Sequence, residues 1–299
     1  MGVKLGRLPE AAIAMLASAI AMLALAASAS ASLTGAYTQF AQCPYANPKV
    51  VKCLYAPIEG GEVVLGSRKV AIVNSATLQG GFGKANGKTK FASLLPTTNG
   101  ATLSAASQPI SGGLAGVVAP QGASPLVKAA IAFFFENALV RVDASLELAK
   151  PAESIQISES QLASREGTAI RLPVRIHLEN PFLGSECYVG SATSPIVWEL
   201  TTGITAPPGP NKSIRGSAGE LELVGGGAVL SLPGAELVDN AWSAPSAHGC
   251  GGPLSFLVDP MVNSSSGLPS AAGRNTAILK STINVASSAA VRLNDEENP

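Results

Sequence analysis

Apolar and polar residues alternate without a fault over residues 140–148 (VRVDASLEL) and again over 170–178 (IRLPVRIHL). A period of two sustained over that length predicts strands with one face in a core and one in water. Pro173 falls on the outward face of the second run, where its missing N–H predicts an edge strand or a bulge. Shorter strands are predicted at 196–201, 219–224, 228–232, 236–241, 254–258 and 276–286, with turns such as APPGP at 206–210 and GGG at 225–227 between them. Many short strands punctuated by Gly and Pro predict a mainly β fold, an antiparallel sandwich-like domain over 135–290.

The N-terminal third is less regular. Residues 62–65 and 69–74 predict a hairpin turned at Gly66-Ser67, followed by a strand at 77–81. Together these make a β segment over 32–82, closed by a disulfide and packed on the main domain. Residues 83–125 hold few large apolar groups and predict a long surface loop or lid within a connection spanning 83–134. A short helix is predicted from Pro125 to Asn137, with Leu126, Ala129, Ala130, Phe133 and Phe134 along it. Phe133, Phe134 and Phe135 are expected to plug one end of the β core. The competing reading is that residues 83–137 rearrange to expose them to a membrane. The tail, 291–299, is expected to fray.

Composition narrows the function more than the fold. Twenty basic and twenty acidic residues cancel, so the chain has no electrostatic pull toward nucleic acid or anionic lipid. Charged residues make up 13% of it, against about a quarter in ordinary domains, which predicts a neutral, hydroxylated surface. Lys4 and Arg7 precede an uncharged run over 11–27 that closes on the small-residue triplets Ala27-Ser28-Ala29 and Ala29-Ser30-Ala31. That layout predicts a secretory signal over 1–31, removed on export. Its rival is a retained N-terminal anchor, although Ala and Ser contribute little insertion energy. No later run is long and apolar enough to cross a bilayer, so no stable membrane insertion is expected after cleavage.

Four cysteines in an oxidising compartment predict two bridges. Of the three possible connectivities we expect Cys43–Cys53 and Cys187–Cys250, contributing about 3 and about 4 kcal/mol by loop entropy. Free thiols are the alternative. No cysteine pair stands at finger-like spacing and no acidic loop has calcium-ligand spacing, so no metal or other cofactor is expected.

Catalytic motifs are scarce. The chain has two histidines, His177 on the polar face of a strand and His248 beside Cys250, and no Gly-x-Ser-x-Gly elbow. The stretch 80–89 (GGFGKANGKT) has Phe82 where a phosphate loop needs its first Gly, and reads as a hairpin tip. If Cys187 and Cys250 are joined, the loops around them gather Asn180, Asp239, Asn240, Trp242 and His248 into a candidate ligand surface. The competing reading is that Asn and Asp close turns while Trp242 seals the core near the bridge.

The strings YTQFAQCPYANPKVVKC (37–53), TLQGG (77–81), HLENPFLGSECYVGS (177–191), DNAWSAP (239–245) and HGCGG (248–252) resemble a family of uncharacterised exported proteins of high-GC Gram-positive bacteria. The similarity covers nearly all of the chain beyond the signal. That family carries no assigned activity, so the resemblance implies export and transfers no catalytic or binding residue. The expectation from the sequence is a non-enzymatic extracellular or cell-envelope protein, binding or structural, with a cell-wall or glycan ligand. The alternative is a secreted hydrolase of a glycan or cell-wall polymer, acting through Glu179, Glu186 or Asp239.

Overall fold

The computed structural model describes residues 33–114, 122–135 and 140–298, with side chains of 131–135 left aside. The export signal expected over 1–31 lies outside the described residues, as does the packing expected of Phe133–Phe135. After a 3₁₀ turn at Gly35–Phe40, the chain runs through β1 (Lys52–Leu65), β2 (Arg68–Ala71), β3 (Ala76–Phe82), β4 (Ala92–Leu95), β5 (Leu103–Ala105) and β6 (Gln108–Ile110). Helix α1 (Pro125–Phe135) leads to β7 (Val142–Leu148), β8 (Gln156–Ile157), α2 (Glu159–Ser164) and β9 (Ile170–Glu179). Then follow β10 (Tyr188–Val189), β11 (Ile196–Leu200), β12 (Glu222–Val224), β13 (Val229–Asp239), β14 (Ala247–His248), α3 (Ser255–Ser266), β15 (Thr276–Ser287) and α4 (Ser288–Glu297).

The strands form one large antiparallel sheet with two halves. One half runs β12-β13-β15-β1-β3; the other is built on β9, which pairs with β7, β8, β10 and β11. Strand β4 pairs with β3 on one side and β8 on the other, and so joins the halves. Apolar side chains from both meet in a common core: Leu54 and Ile58 of β1, Leu172 and Val174 of β9, Trp198 of β11 and Ile283 of β15. The mainly β, sandwich-like architecture is thus the one its alternating runs predict. In β9 the even positions, Ile170 to Leu178, are all buried, while Arg171, Arg175, His177 and Glu179 are half-buried on the other face.

Both disulfides form as expected, with Cα atoms 5.7 Å apart for Cys43–Cys53 and 4.1 Å apart for Cys187–Cys250. The first sits in a small second cluster with Phe40, Val50, Val229 and Val291.

Several expectations are corrected. The N-terminal β segment is not packed on the main domain but woven into it: β1 lies between β15 and β3, more than 200 residues from its β15 partner in the chain. Loop-closure entropy grows only slowly with length, so so distant a pairing costs little more than a near one. Gly61, at φ +121°, lets the two strands close, since a Cβ there would stand 1.9 Å from the Ile278 carbonyl oxygen. The two strands expected over 228–232 and 236–241 are one, β13 (Val229–Asp239), bulged between Leu232 and Ala235 where Pro233-Gly234 interrupts the ladder.

Residues 254–258 are not a strand. Leu254 ends a 3₁₀ turn and residues 255–258 open α3, which Gly267 closes at φ +66° with its N–H donating to Asn263 and Ser264 carbonyls. A run of five residues is too short for its period to separate the two states. The stretch 83–125 holds β4, β5 and β6, so part of it is sheet and not loop. Pro173 lies on no edge: its carbonyl accepts from Ala149 N–H, and its missing N–H faces the gap where β7 ends and β8 begins. The tail is helical, with Val291 fully buried and Asn294 Oδ1 accepting from Thr34 N–H at 2.9 Å.

Candidate functional site

Register across the β9 half assembles a polar and aromatic row on its outer face. His177 lies opposite Ser145 of β7 and Tyr188 of β10, and Tyr188 lies opposite His248 of β14. The His177 ring stacks on Tyr188 with centroids 4.6 Å apart, and the Arg175 guanidinium sits 4.2 Å from the other ring's centroid, that of Tyr188. Arg175 Nε and Nη2 donate to Glu147 Oε2 at 2.9 and 2.6 Å. Glu179 accepts from Ser145 Oγ at 2.6 Å and from Ser107 Oγ at 2.9 Å. His177 Nδ1 stands 3.8 Å from a carboxylate oxygen of each glutamate, and its Nε2 is buried without a hydrogen-bond partner among the described residues. Burial pushes the Tyr188 phenol up, Glu147 adds to the rise, and Arg175 opposes it.

This row does not make a nucleophile with its base. Both serine protons point at the Glu179 carboxylate, and each glutamate is already engaged by donors. Among the described residues no group of three His, Cys, Asp or Glu side chains is gathered as a metal site.

The candidate surface predicted from the sequence divides into two groups. Asp239 Oδ2 accepts from Glu199 N–H at 2.7 Å, and Glu199 lies opposite Arg171 near the start of β9. Asn240 and Trp242 follow it in the chain. Asn180 and His248 lie at the far end of β9, roughly 25 Å away at the rise of a strand. The Cys187–Cys250 bridge does bring the Asn180 and His248 loops together, with Gly251 N–H donating to Leu183 O. Residues 239–250 cross the sheet between the two ends.

Most of these side chains serve the scaffold. Asn180 Oδ1 accepts from Phe182 N–H and its Nδ2 donates to Arg141 O. Asn240 Nδ2 donates to Lys212 O. Trp242 is buried edge-on against Trp198, with centroids 6.0 Å apart. His248 is exposed, with Nε2 3.3 Å from Gly190 O. Asp239 is buried and accepts a second bond from Ala241 N–H at 2.9 Å. Burial pushes its carboxyl up, the two backbone donors pull it down, and the Glu199 charge adds to the rise. Glu186 is exposed.

The enclosed space lies elsewhere, between the two sheet halves. A partly open cavity of about 110 Å³ is walled by Ile58, Val70, Ile176, Leu178, Trp198 and Leu279 among others. Among the described residues one charged side chain lines it, that of Arg68, the first residue of β2, which is 9% exposed. Its Nη1 and Nη2 donate to Gly113 O and Leu114 O, each at 3.4 Å, and no carboxylate pairs with it among the described residues. Burial lowers its pKa, yet a guanidinium remains charged at neutral pH. Sequence reasoning gave Arg68 no role, since it falls between the turn at Gly66-Ser67 and the strand expected at 69–74. The signal that could have found it is the alternation Arg68-Lys69-Val70-Ala71-Ile72, which places the cation on one face with Val70 and Ile72, both of them cavity residues.

No protein-family model, curated protein or solved structure matches the chain.

Proposed function

We propose that this chain is an exported, non-enzymatic β protein that binds a small apolar ligand between its two sheet halves. The apolar inter-sheet cavity carries the reading. Ligand pockets are concave, mostly apolar and fitted with few polar groups, and this one matches that description. An apolar cavity of about 150 Å³ in another protein stays dry and takes benzene. The space here is therefore on the scale of a ring or a chain of a few carbons. Export is supported by the two disulfides, the N-terminal signal pattern and the resemblance to exported bacterial proteins.

The hydrolase reading loses one of its carboxylate pairs. Glu179 and Asp239 lie at opposite ends of β9, whereas glycoside hydrolysis needs carboxyl groups about 5–9.5 Å apart. A glycan ligand has a narrower place left to it, the outer row around Tyr188 and His248, and no part of that row is a deep cleft.

Titration with 1-hexanol, read by Trp198 fluorescence, tests the cavity reading. A saturable change is expected, and it should vanish in Ala144→Leu, which fills the space. A wild-type signal that stays linear to the solubility limit would overturn the reading. Export is checked by sequencing the N-terminus of protein recovered from the medium of a secreting host, which should begin after Ala29 or Ala31.

A further inference from the structure

We infer that Arg68 anchors the acid group of a small amphipathic anion, a carboxylic acid with an apolar body, held in the inter-sheet cavity. This rests on the reading of the cavity as a ligand site and names the chemical class of the ligand.

The argument starts from the cost of the arrangement. A charge removed from water is expensive unless it is paired and hydrogen-bonded. Arg68 is 9% exposed, and the protein supplies it with two long bonds to backbone carbonyls out of five N–H donors. Among the described residues the cavity lining holds no Asp, Glu, His or Lys. Gln108, the other large polar side chain there, is satisfied, donating to Asn74 O and Ala106 O while accepting from Val73 and Asn74 N–H. Among the described residues the space thus presents one positive charge, spare donors and mostly apolar walls.

A ligand complementary to that space has one negative charge, a planar pair of acceptor oxygens and a short apolar body. A carboxylate meets the guanidinium fork with charge-assisted bonds. A dianion would leave a second charge buried without a partner. The volume limits the body to about the size of benzene. A neutral alcohol of the same length would fill the walls and leave the cation unpaired.

Calorimetric titration of the disulfide-bonded protein with hexanoate and with 1-hexanol at pH 7 separates the two levels of the claim. Hexanoate is expected to bind at least about tenfold more tightly, the scale of one charge-assisted hydrogen bond. In Arg68→Met the order should reverse, with 1-hexanol binding more tightly than hexanoate, whose carboxylate would have no partner. Retained hexanol binding by that variant shows that its cavity is intact. Equal affinities in the wild type would overturn the anion while leaving the cavity reading in place. Failure of both ligands to saturate the wild type would overturn the cavity reading and the anion with it.

Discussion

Asp239 and Arg68 are both buried charges, and their surroundings differ in a way that separates scaffold from site. Asp239 stands where β13 meets β11, and two backbone N–H groups aim at its oxygens within 2.9 Å. Its removal would strand donors that the fold has placed there. Arg68 stands on a cavity wall with two bonds of 3.4 Å, so its removal strands two weak acceptors. The outer row shows a third case. Arg175 is about a third exposed and fully engaged by Glu147 and Tyr188, a surface pair of ordinary strength.

The comparison can be broken from its largest effect downward. Replacing Cys187 and Cys250 together by Ser releases the loops at the far end of β9 and should cost about 4 kcal/mol in urea denaturation. An unchanged midpoint would show that the bridge does not hold that end. Asp239→Ala leaves two buried N–H groups unpaired and should cost about 3 kcal/mol. Arg68→Met replaces an unpaired buried charge with an apolar chain of similar reach. It is expected to leave stability unchanged or raise it by about 1–2 kcal/mol, the direction seen when buried ions give way to hydrophobic residues. A loss comparable to that of Asp239→Ala would make Arg68 scaffold too. Arg175→Ala on the outer face should cost less than about 1 kcal/mol.

A pH series sharpens the Asp239 side. Its folded pKa is raised above 3.8, chiefly by burial. The unfolded chain therefore ionises more readily, and this group's contribution works against folding at neutral pH. That penalty is relieved as pH falls through the folded pKa toward 3.8. The stability of the wild type relative to Asp239→Asn should accordingly rise between pH 7 and pH 4. A flat or falling difference would show that backbone hydrogen bonding outweighs burial at this carboxyl.

What was legible in the sequence follows from the same physics. β7 and β9 were legible because each has a core face and a polar face, and alternation records that directly. The Cys43–Cys53 and Cys187–Cys250 pairings were legible from spacing and compartment. The continuity of β13 was hidden by Pro233-Gly234, which reads as a turn and folds as a bulge. Strands β4, β5 and β6 have three or four residues each, too few to show a period. Partner choice was not legible at all, since alternation marks a strand without saying that β1 lies beside β15. The division of the predicted ligand surface has the same origin: the bridge near His248 was foreseen, but not which end of β9 Asp239 would occupy. Arg68 was hidden because a basic residue after Gly66-Ser67 looks like turn solvation, and only its shared face with Val70 and Ile72 reveals otherwise.

Thermal melts of wild type and Arg68→Met, each with and without hexanoate, test the central contrast most directly. A ligand that binds only the folded state raises its melting temperature. The account predicts that hexanoate raises the wild-type Tm, leaves Arg68→Met nearly unmoved, and that the variant alone melts no lower than wild type. A wild type indifferent to hexanoate beside an Arg68→Met that melts far lower would contradict it, and would place Arg68 with Asp239 in the scaffold.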